Sequence, residues 1–380
     1  MVHVDPAKDN AKTTIKQVEF NTIASSFGGL SSQVSAMHKY LASIHAYPEQ
    51  IENIINASAL PPSRSVPSLA SGLVKAHQAY GKEKSPHDTC VLFIVQDPER
   101  NVFDQRHLEY AVASNGVRTF RLSFHHVVQH TKLDGDRTLI YTPPHLSNKI
   151  FEVSVLYFRA GYSPTDYKGK SDWDARLLLE RSRAIKCPSI LTHLAGTKKV
   201  QQVLATPHSP HLARFLPDKT KAAELQATFA PIYPLDNSEA GEEARKLALN
   251  PETAVRYVLK PQREGGGNNV YRKAIPGFLK DLPESHWPAY ILMEMIEPPA
   301  LTNTLFRNGD IQKGGVIGEL GVYGVCLWRN KMTDKDNVGI AETLENFEAG
   351  YLLRTKGDQS EEGGVAAGFG AVDSACLVDV

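Results

Sequence analysis

Hydrophobic and polar positions change period several times along the chain, and each change marks an element. In "IKQVEFNTI" (Ile15–Ile23) they alternate, with Val18 and Phe20 on one side and Glu19 and Asn21 on the other, as in a half-buried strand. A turn at "ASSFGGLSS" leads into "SQVSAMHKYLASI", which has helical spacing, and "NASALPPSRSVPS" is loop by composition. From Ser85 the pattern changes. "TCVLFIVQD" is a continuous apolar run, the mark of a strand buried on both faces, and "NVFDQRHLEYAVASNG" predicts a helix that stops at Asn115-Gly116. "VRTFRL" and "FEVSVLYFR" follow as strands, then "DWDARLLLERSRAI" as a helix ended before Pro188.

Strands alternating with helices predict a small parallel α/β subdomain over roughly Ser85 to Ala195. In such sheets ligand groups lie beyond the carboxyl ends of the strands, where "QDPERN" and "RAGYSP" fall. From Gly196 onward, "RYVLKPQ", "YILMEMI" and "IGELGVYGVCLW" read as strands of a mixed sheet, interrupted by two glycine-rich loops, "REGGGNN" and "EEGGVAAGFG". The expected division is residues 1–84, an α/β subdomain at 85–195, and 196–380 with lid loops at 263–271 and 356–370.

Composition narrows the class. The chain has 380 residues, 42% hydrophobic and 22% charged, which is ordinary for globular protein and long enough for more than one core. Lys+Arg and Asp+Glu both number 42, so no global field argues for nucleic acid or an anionic membrane. Any anion site must be local. Cys90, Cys187, Cys326 and Cys376 are far apart with no CxxC pair, which points to reduced thiols in the cytoplasm rather than a disulfide framework or zinc site. The opening "MVHVDPAKDNAKTT" lacks the apolar centre of a signal peptide.

Candidate chemistry is concentrated around "KPQREGGGNN" (Lys260–Asn269). Three consecutive glycines let backbone N–H groups turn onto an anion, Lys260 and Arg263 precede them, and Glu264 is suited to a divalent cation bridging a phosphate. The loop is not a G-x-x-x-x-G-K-[ST] or G-x-G-x-x-G motif, so these residues alone fit either a phosphate cradle or a flexible surface turn. Glu19 and Asn21, two apart on one face, offer hard oxygens that with Glu264 can complete a Mg²⁺ site, or lie on an exposed strand face. Lys198, Arg159 and Arg354 are single cations at element ends, suited to phosphate or carboxylate but individually ordinary on a surface. "GGVAAG" (Gly363–Gly368) suits a mobile lid or a terminal loop. His125, His126, His130, His208 and His211 have no H-E-x-x-H spacing or cysteine partner and read as surface histidines; no G-x-S-x-G is present.

Taken in order, "KQVEFNTIASSFGGL", "QDPERNVFDQR", "YFRAGY", "LLLERSRAIKCPS", "LAGTKKVQQ", "VLKPQREGGGNN", "YILMEMIEP", "GELGVYGV" and "LLRTK…GGVAAG" resemble the eukaryotic-type glutathione synthetases of the ATP-grasp superfamily, over nearly the whole chain from Ile15. The resemblance implies an ATP-grasp body with glycine-rich lids and an inserted substrate-binding subdomain. It also implies a cytoplasmic homodimeric ligase that joins glycine to γ-glutamylcysteine through an acyl phosphate, using ATP and Mg²⁺. Carried over by motif, Glu19, Asn21 and Glu264 are the implied metal ligands. The implied ATP contacts are Glu19, Lys198, Lys260, Glu264, Gly265, Gly266, Gly267, Asn268, Asn269, Tyr271, Met293, Glu294, Met295, Ile296, Glu319, Lys356 and Glu362, the last standing where relatives often have Asp. The implied γ-glutamylcysteine contacts are Ile23, Ala24, Ser25, Ser26, Glu99, Arg100, Asn101, Gln105, Arg159, Ala160, Gly161, Tyr162, Arg354, Val365 and Ala366. Arg354, Lys260 and Lys198 are the implied catalytic cations, and Ala366-Ala367 is the pair that glycine-using members carry.

Family members continue upstream of the position matched by Met1, and a substrate-gripping arginine of theirs lies there. The expectation is that the native enzyme begins earlier. The alternatives are a short, catalytically inactive ATP-binding or regulatory subunit, and a short form that folds and retains some ligase activity.

Overall fold

The apolar run that begins at Thr89 becomes the middle of a sheet. The structure is a computed structural model, and it describes the chain apart from residues 5–12, 82–85, 147, 265, 308, 332–339, 362–364, 366–367, 369 and 379–380. The fold is mixed α/β and divides into two units, each assembled from segments distant in sequence. Residues 1–22, 191–319 and 355–371 form one; residues 23–190, 320–354 and 372–380 form the other. They are called here the first and second unit.

In the second unit, the strand Asp88–Val95 pairs in parallel with Thr119–Ser123 on one side and Phe151–Phe158 on the other, and Ile185–Cys187 also runs parallel to Phe151–Phe158. Its side chains alternate between two cores. Cys90, Leu92 and Ile94 pack with Leu122, Phe158 and Leu179, while Val91, Phe93 and Val95 pack with Leu73, Leu108 and Val112. Helices on both faces explain why the run is apolar throughout rather than alternating. The helices are Lys170–Arg181 on the first face and Ser65–Tyr80 and Val102–Ser114 on the second.

The structure adds an antiparallel pair, Thr131–Leu133 with Leu139–Tyr141, that joins Phe151–Phe158 and makes the sheet mixed. The predicted helix "DWDARLLLERSRAI" closes at Arg181, and its last residues instead begin the strand at Ile185, where Ala184 is buried.

The expected strand Ile15–Ile23 is largely corrected. Only Thr14–Ile15 lies in a strand, and Gln17 makes a single parallel bridge to Phe229. Val18 packs on a core while Phe20 is 57% exposed, so the two do not share a buried face. The alternation is present in sequence, but among the described residues the segment beyond Ile15 pairs only through that bridge.

In the first unit, four antiparallel strands are ordered Val270–Tyr271, Tyr257–Pro261, Tyr290–Glu294 and Ile232–Pro234. One face, with Leu259 and Leu292, packs with Ala244, Ala248, Ile275 and Leu279 from the helices Glu239–Leu249 and Ile275–Asp281. The other, with Val258, Ile291 and Met293, packs against Val18 and Ala205. Among the described residues no helix is long and apolar enough to cross a membrane.

One carboxylate organises the entry to the helix Gly28–Ser43. That helix has no capping side chain of its own and enters through Phe27 at φ 72°. Asp104 supplies the cap from a different helix, accepting the N–H groups of Phe27, Gly29 and Leu30 at 2.7, 2.8 and 3.0 Å. Orphan N–H groups and the positive helix end both favour an anion there. Glycine is required at 29, because a Cβ would sit 2.6 Å from the Asp104 carbonyl oxygen.

Two stability outcomes follow from these contacts. Phe93→Ala, at a fully buried residue whose ring packs edge-on against Tyr157, lowers unfolding free energy by about 3–5 kcal/mol in a urea titration. Asp104→Ala lowers it by about 1.5–3 kcal/mol, since three donors lose a charged acceptor; a change below a few tenths would remove Asp104 from this role.

Candidate active site

Within the first unit, buried ammonium groups define a site. Lys198 opens the helix Lys198–Ala205 and is 6% exposed; Lys260 lies on the strand Tyr257–Pro261 and is 8% exposed. Neither position is read as interior from its own segment, because lysine is rarely buried unless paired. Here the pairing is explicit. Lys198 Nζ donates to Glu264 Oε1 at 3.0 Å and to the Arg263 carbonyl at 2.9 Å, which ties the helix to the start of the glycine loop. Lys260 Nζ donates to the Val18 carbonyl at 3.4 Å.

Burial pushes the Lys260 ammonium below its usual pKa, with Glu19 opposing, Lys198 adding to the lowering, and Glu319 and Glu264 opposing. These five side chains therefore share one electrostatic environment, with two ammonium groups and three carboxylates. Asn21 joins it through Glu19: its Nδ2 donates to Glu19 Oε1 at 3.0 Å, which leaves its carbonyl oxygen as an acceptor.

The loop beyond Glu264 has the backbone that its glycines permit. Gly266 and Gly267 both have φ 72°, the left-handed region that other residues avoid. Asn268 Nδ2 donates to the Gly266 carbonyl and Asn269 Nδ2 to the Tyr271 hydroxyl, so both amides brace the loop itself. Gly265 and Glu362, both expected at ATP, and Ala366, expected at the dipeptide, lie outside the described residues. At the end of the strand Tyr290–Glu294, Met293 and Ile296 are buried in the core while Glu294 and Met295 are partly exposed. Lys356, also buried, donates to the Glu361 carbonyl at 2.7 Å. Val365 is half-buried in a turn closed by Gly368 N–H on its carbonyl.

The second unit holds a separate constellation. Arg159, at the carboxyl end of Phe151–Phe158 and 4% exposed, reaches the segment Ile23–Ser26. Its Nη1 donates to the Ser25 carbonyl and its Nη2 to Ser26 Oγ at 2.8 Å. Burial opposes the Arg159 charge, and Tyr157, Asp104 and Glu99 more than offset that. Ala24, at φ 52°, bends the segment, and Ile23 is anchored in the core.

The turn after Arg159 is held by Asp166, which accepts the N–H groups of Gly161, Tyr162 and Ser163. Ala160 is fully buried beneath it. Asn101 donates its Nδ2 to Asp104 Oδ2 and its backbone N–H to Glu99 Oε1, so the Glu99–Asn101 loop adjoins the same network. Gln105 is buried one position beyond Asp104, whereas Arg100 is exposed.

Tyr323, Asp104 and Asp166 were not singled out from sequence. Tyr323 donates its hydroxyl to the Ser26 carbonyl at 2.6 Å. Burial raises its pKa well above the usual range, with Asp104 and Tyr157 adding and Arg354 and Arg159 opposing. Arg354 is thereby placed in this environment too. The only local signal for Asp104 was its place in the first turn of a helix, which in most proteins is a cap for that helix alone. The histidine reading needs one amendment: His125 is half-buried on Asp172 at 2.7 Å rather than free on the surface.

Comparison with known proteins is specific. A family model described as the eukaryotic glutathione synthase ATP binding domain matches residues 1–377. The chain is 40% identical to the Xenopus laevis glutathione synthetase over 98% of its length, covering 72% of that protein, and 42% identical to the Homo sapiens glutathione synthetase over 95%, covering 70%. It is 41% identical to the chloroplastic glutathione synthetase of Solanum lycopersicum over 97%, covering 62% of that protein. Among solved structures, an apo glutathione synthetase like-effector from Globodera pallida matches 99% of this chain and 74% of its own, with a TM-score of 0.69 at 19% identity, which speaks to fold alone. By the extent of the family match and by identity to relatives along most of their length, this chain belongs to the eukaryotic glutathione synthase family.

Proposed function

We propose that the protein is an ATP-dependent ligase that joins glycine to γ-glutamylcysteine, forming glutathione. The observation that carries the reading is the convergence, in one unit, of buried Lys198 and Lys260 with Glu19, Glu264 and Glu319 at the root of a glycine loop. Buried ammonium groups beside a loop whose backbone can turn its N–H groups inward suit a polyphosphate. The nucleotide and the dipeptide in this proposal are inferred from family membership.

In this reading Lys198 and Lys260 hold the phosphate oxygens of ATP, Lys356 and Glu319 border the nucleotide, and Met293–Ile296 with Tyr271 line the base and sugar. The arginines Arg159 and Arg354 take carboxylates of the dipeptide, with Ile23–Ser26, Glu99–Asn101, Gln105 and Ala160–Tyr162 around it. The cysteinyl carboxylate oxygen takes the terminal phosphoryl group and ADP leaves. The amine of glycine then attacks the acyl carbon, loses a proton, and phosphate departs with the C–O bond. Positioning and charge neutralisation do this chemistry without a protein nucleophile. An acyl phosphate hydrolyses readily in water, and the glycine loop at Gly266–Gly267 serves as a closure.

The residues suit a divalent ion. Glu19, Glu264 and the Asn21 carbonyl are hard oxygen donors within the lysine cluster. Mg²⁺ commonly uses one or two protein carboxylates plus substrate phosphates. When bound there, Mg²⁺ would neutralise polyphosphate charge, and Glu19, Asn21 and Glu264 would hold it. The reading extends to a cytoplasmic homodimer.

Three measurements test it. With ATP and Mg²⁺, ADP is released only when γ-glutamylcysteine and glycine are both supplied, and glycine outcompetes β-alanine and serine; ATP binding without any ADP release would instead establish the inactive-subunit reading. Glu264→Gln lowers kcat by at least about 10-fold while the KM for γ-glutamylcysteine stays within about twofold. ATP affinity falls with rising pH at values below those at which an ordinary lysine titrates. The charged form of Lys260 is the binding form, and its pKa is lowered chiefly by burial. Lys260→Arg removes that alkaline limb; an unchanged limb would assign the titration elsewhere.

A further inference from the structure

The side-chain amide of Gln105 is held in one orientation by a buried ionic pair, and this has a consequence for recognition. Gln105 sits in the first half of the helix Val102–Ser114 and is 3% exposed. Its Oε1 accepts a hydrogen bond from Arg121 Nη2 at 2.8 Å, from the neighbouring strand Thr119–Ser123. A guanidinium has donors only, so the atom facing it must be the amide oxygen, whichever way the amide is drawn. Arg121 is itself held. Its Nη1 lies 3.4 Å from Glu109 Oε2, and Glu109 Oε1 takes Arg106 Nη1 at 2.8 Å. Burial lowers the Arg121 pKa, and Glu109, itself only 6% exposed, is the largest opposing influence.

We infer that Arg121, supported by Glu109, is a positioning residue that commits Gln105 to act as a hydrogen-bond donor, favouring a carboxylate of the dipeptide over its ammonium group at that point. With Oε1 occupied, the amide's capacity for a ligand lies in its N–H hydrogens, which a carboxylate accepts more strongly than a neutral carbonyl and which an ammonium cannot accept. Arg106 and Arg121 are matched by Glu109 and Glu99, with Asp104 one residue before Gln105, so the choice rests on the amide hydrogens and not on net charge. The inference rests on the proposed placement of Gln105 at γ-glutamylcysteine.

The test measures γ-glutamylcysteine binding by calorimetry, steady-state kinetics, and ATP affinity on the full chain carrying Gln105→Ala, Gln105→Glu, Arg121→Met or Arg121→Lys. The expected result is that Gln105→Glu, which keeps an acceptor for Arg121 but presents an anion, weakens dipeptide affinity more than Gln105→Ala does, by about 10–100-fold against a few-fold. This is the ordering that repulsion of a carboxylate demands. Arg121→Met releases the amide and raises the dipeptide KM several-fold with kcat and ATP affinity little changed, and Arg121→Lys restores part of the loss. If Gln105→Glu binds as well as or better than Gln105→Ala, the donor role is overturned while the placement stands. If neither Gln105 variant changes dipeptide binding, or the unaltered chain does not bind the dipeptide, the placement itself fails and the inference with it. Should Arg121→Met lower melting temperature and move every kinetic constant together, Arg121 is a structural residue only and the positioning role is rejected.

Discussion

A buried ammonium is tolerable only where opposite charge and hydrogen-bond acceptors replace its lost hydration, and the first unit is arranged around that requirement. Lys198 and Lys260 are almost wholly buried. Their neutralisation draws on Glu264 at the start of the glycine loop, Glu19 near the amino-terminal end of the described chain, and Glu319 on a later strand. The segments that supply these groups are fixed relative to one another because the lysines need them. Backbone carbonyls share the work: Lys198 also donates to the Arg263 carbonyl and Lys260 to the Val18 carbonyl. Phosphate oxygens compete for the same donors. A glycine loop with left-handed residues at 266 and 267 can present N–H groups to such a ligand without side-chain obstruction.

The second unit solves the converse problem with carboxylates. Asp104 and Asp166 each accept three backbone N–H groups, at Phe27–Leu30 and Gly161–Ser163, and so freeze turns that flank Arg159. Arg159 then grips Ser25 and Ser26, and Tyr323 holds the Ser26 carbonyl from another segment. A loop with this many charge-assisted bonds is pre-ordered, and a pre-ordered binding loop loses less entropy when a ligand arrives. Gln105, oriented through Arg121 and Glu109, extends the same device from backbone to side chain.

Much of the fold was legible because it depends on local periodicity. The run from Thr89 to Val95 could only be a strand covered on both faces, and the helix at Val102–Ser114 ended where Asn115-Gly116 said it would. Legibility failed where pairing decided the outcome. Ile15–Ile23 alternates well enough for a strand, yet only its first residue lies in one, beyond which a lone bridge at Gln17 links it to Phe229. The antiparallel Thr131–Tyr141 hairpin carries too few residues per strand for a period to register.

By itself the sequence determined the alternation of elements, the glycine loop with its flanking cations, and the family, since these lie in contiguous stretches whose residue order is the signal. The tertiary structure decided which charges are buried and which partners neutralise them: Lys198 with Glu264, Lys260 among Glu19 and Glu319, and Asp104 as the cap of a helix more than seventy residues upstream. It also decided that each unit gathers segments from three separate parts of the chain. The reason is physical. Hydrophobic period is set by neighbours along the backbone, whereas desolvation of a charge depends on what folding brings within a few ångströms of it, and residue order does not encode that distance.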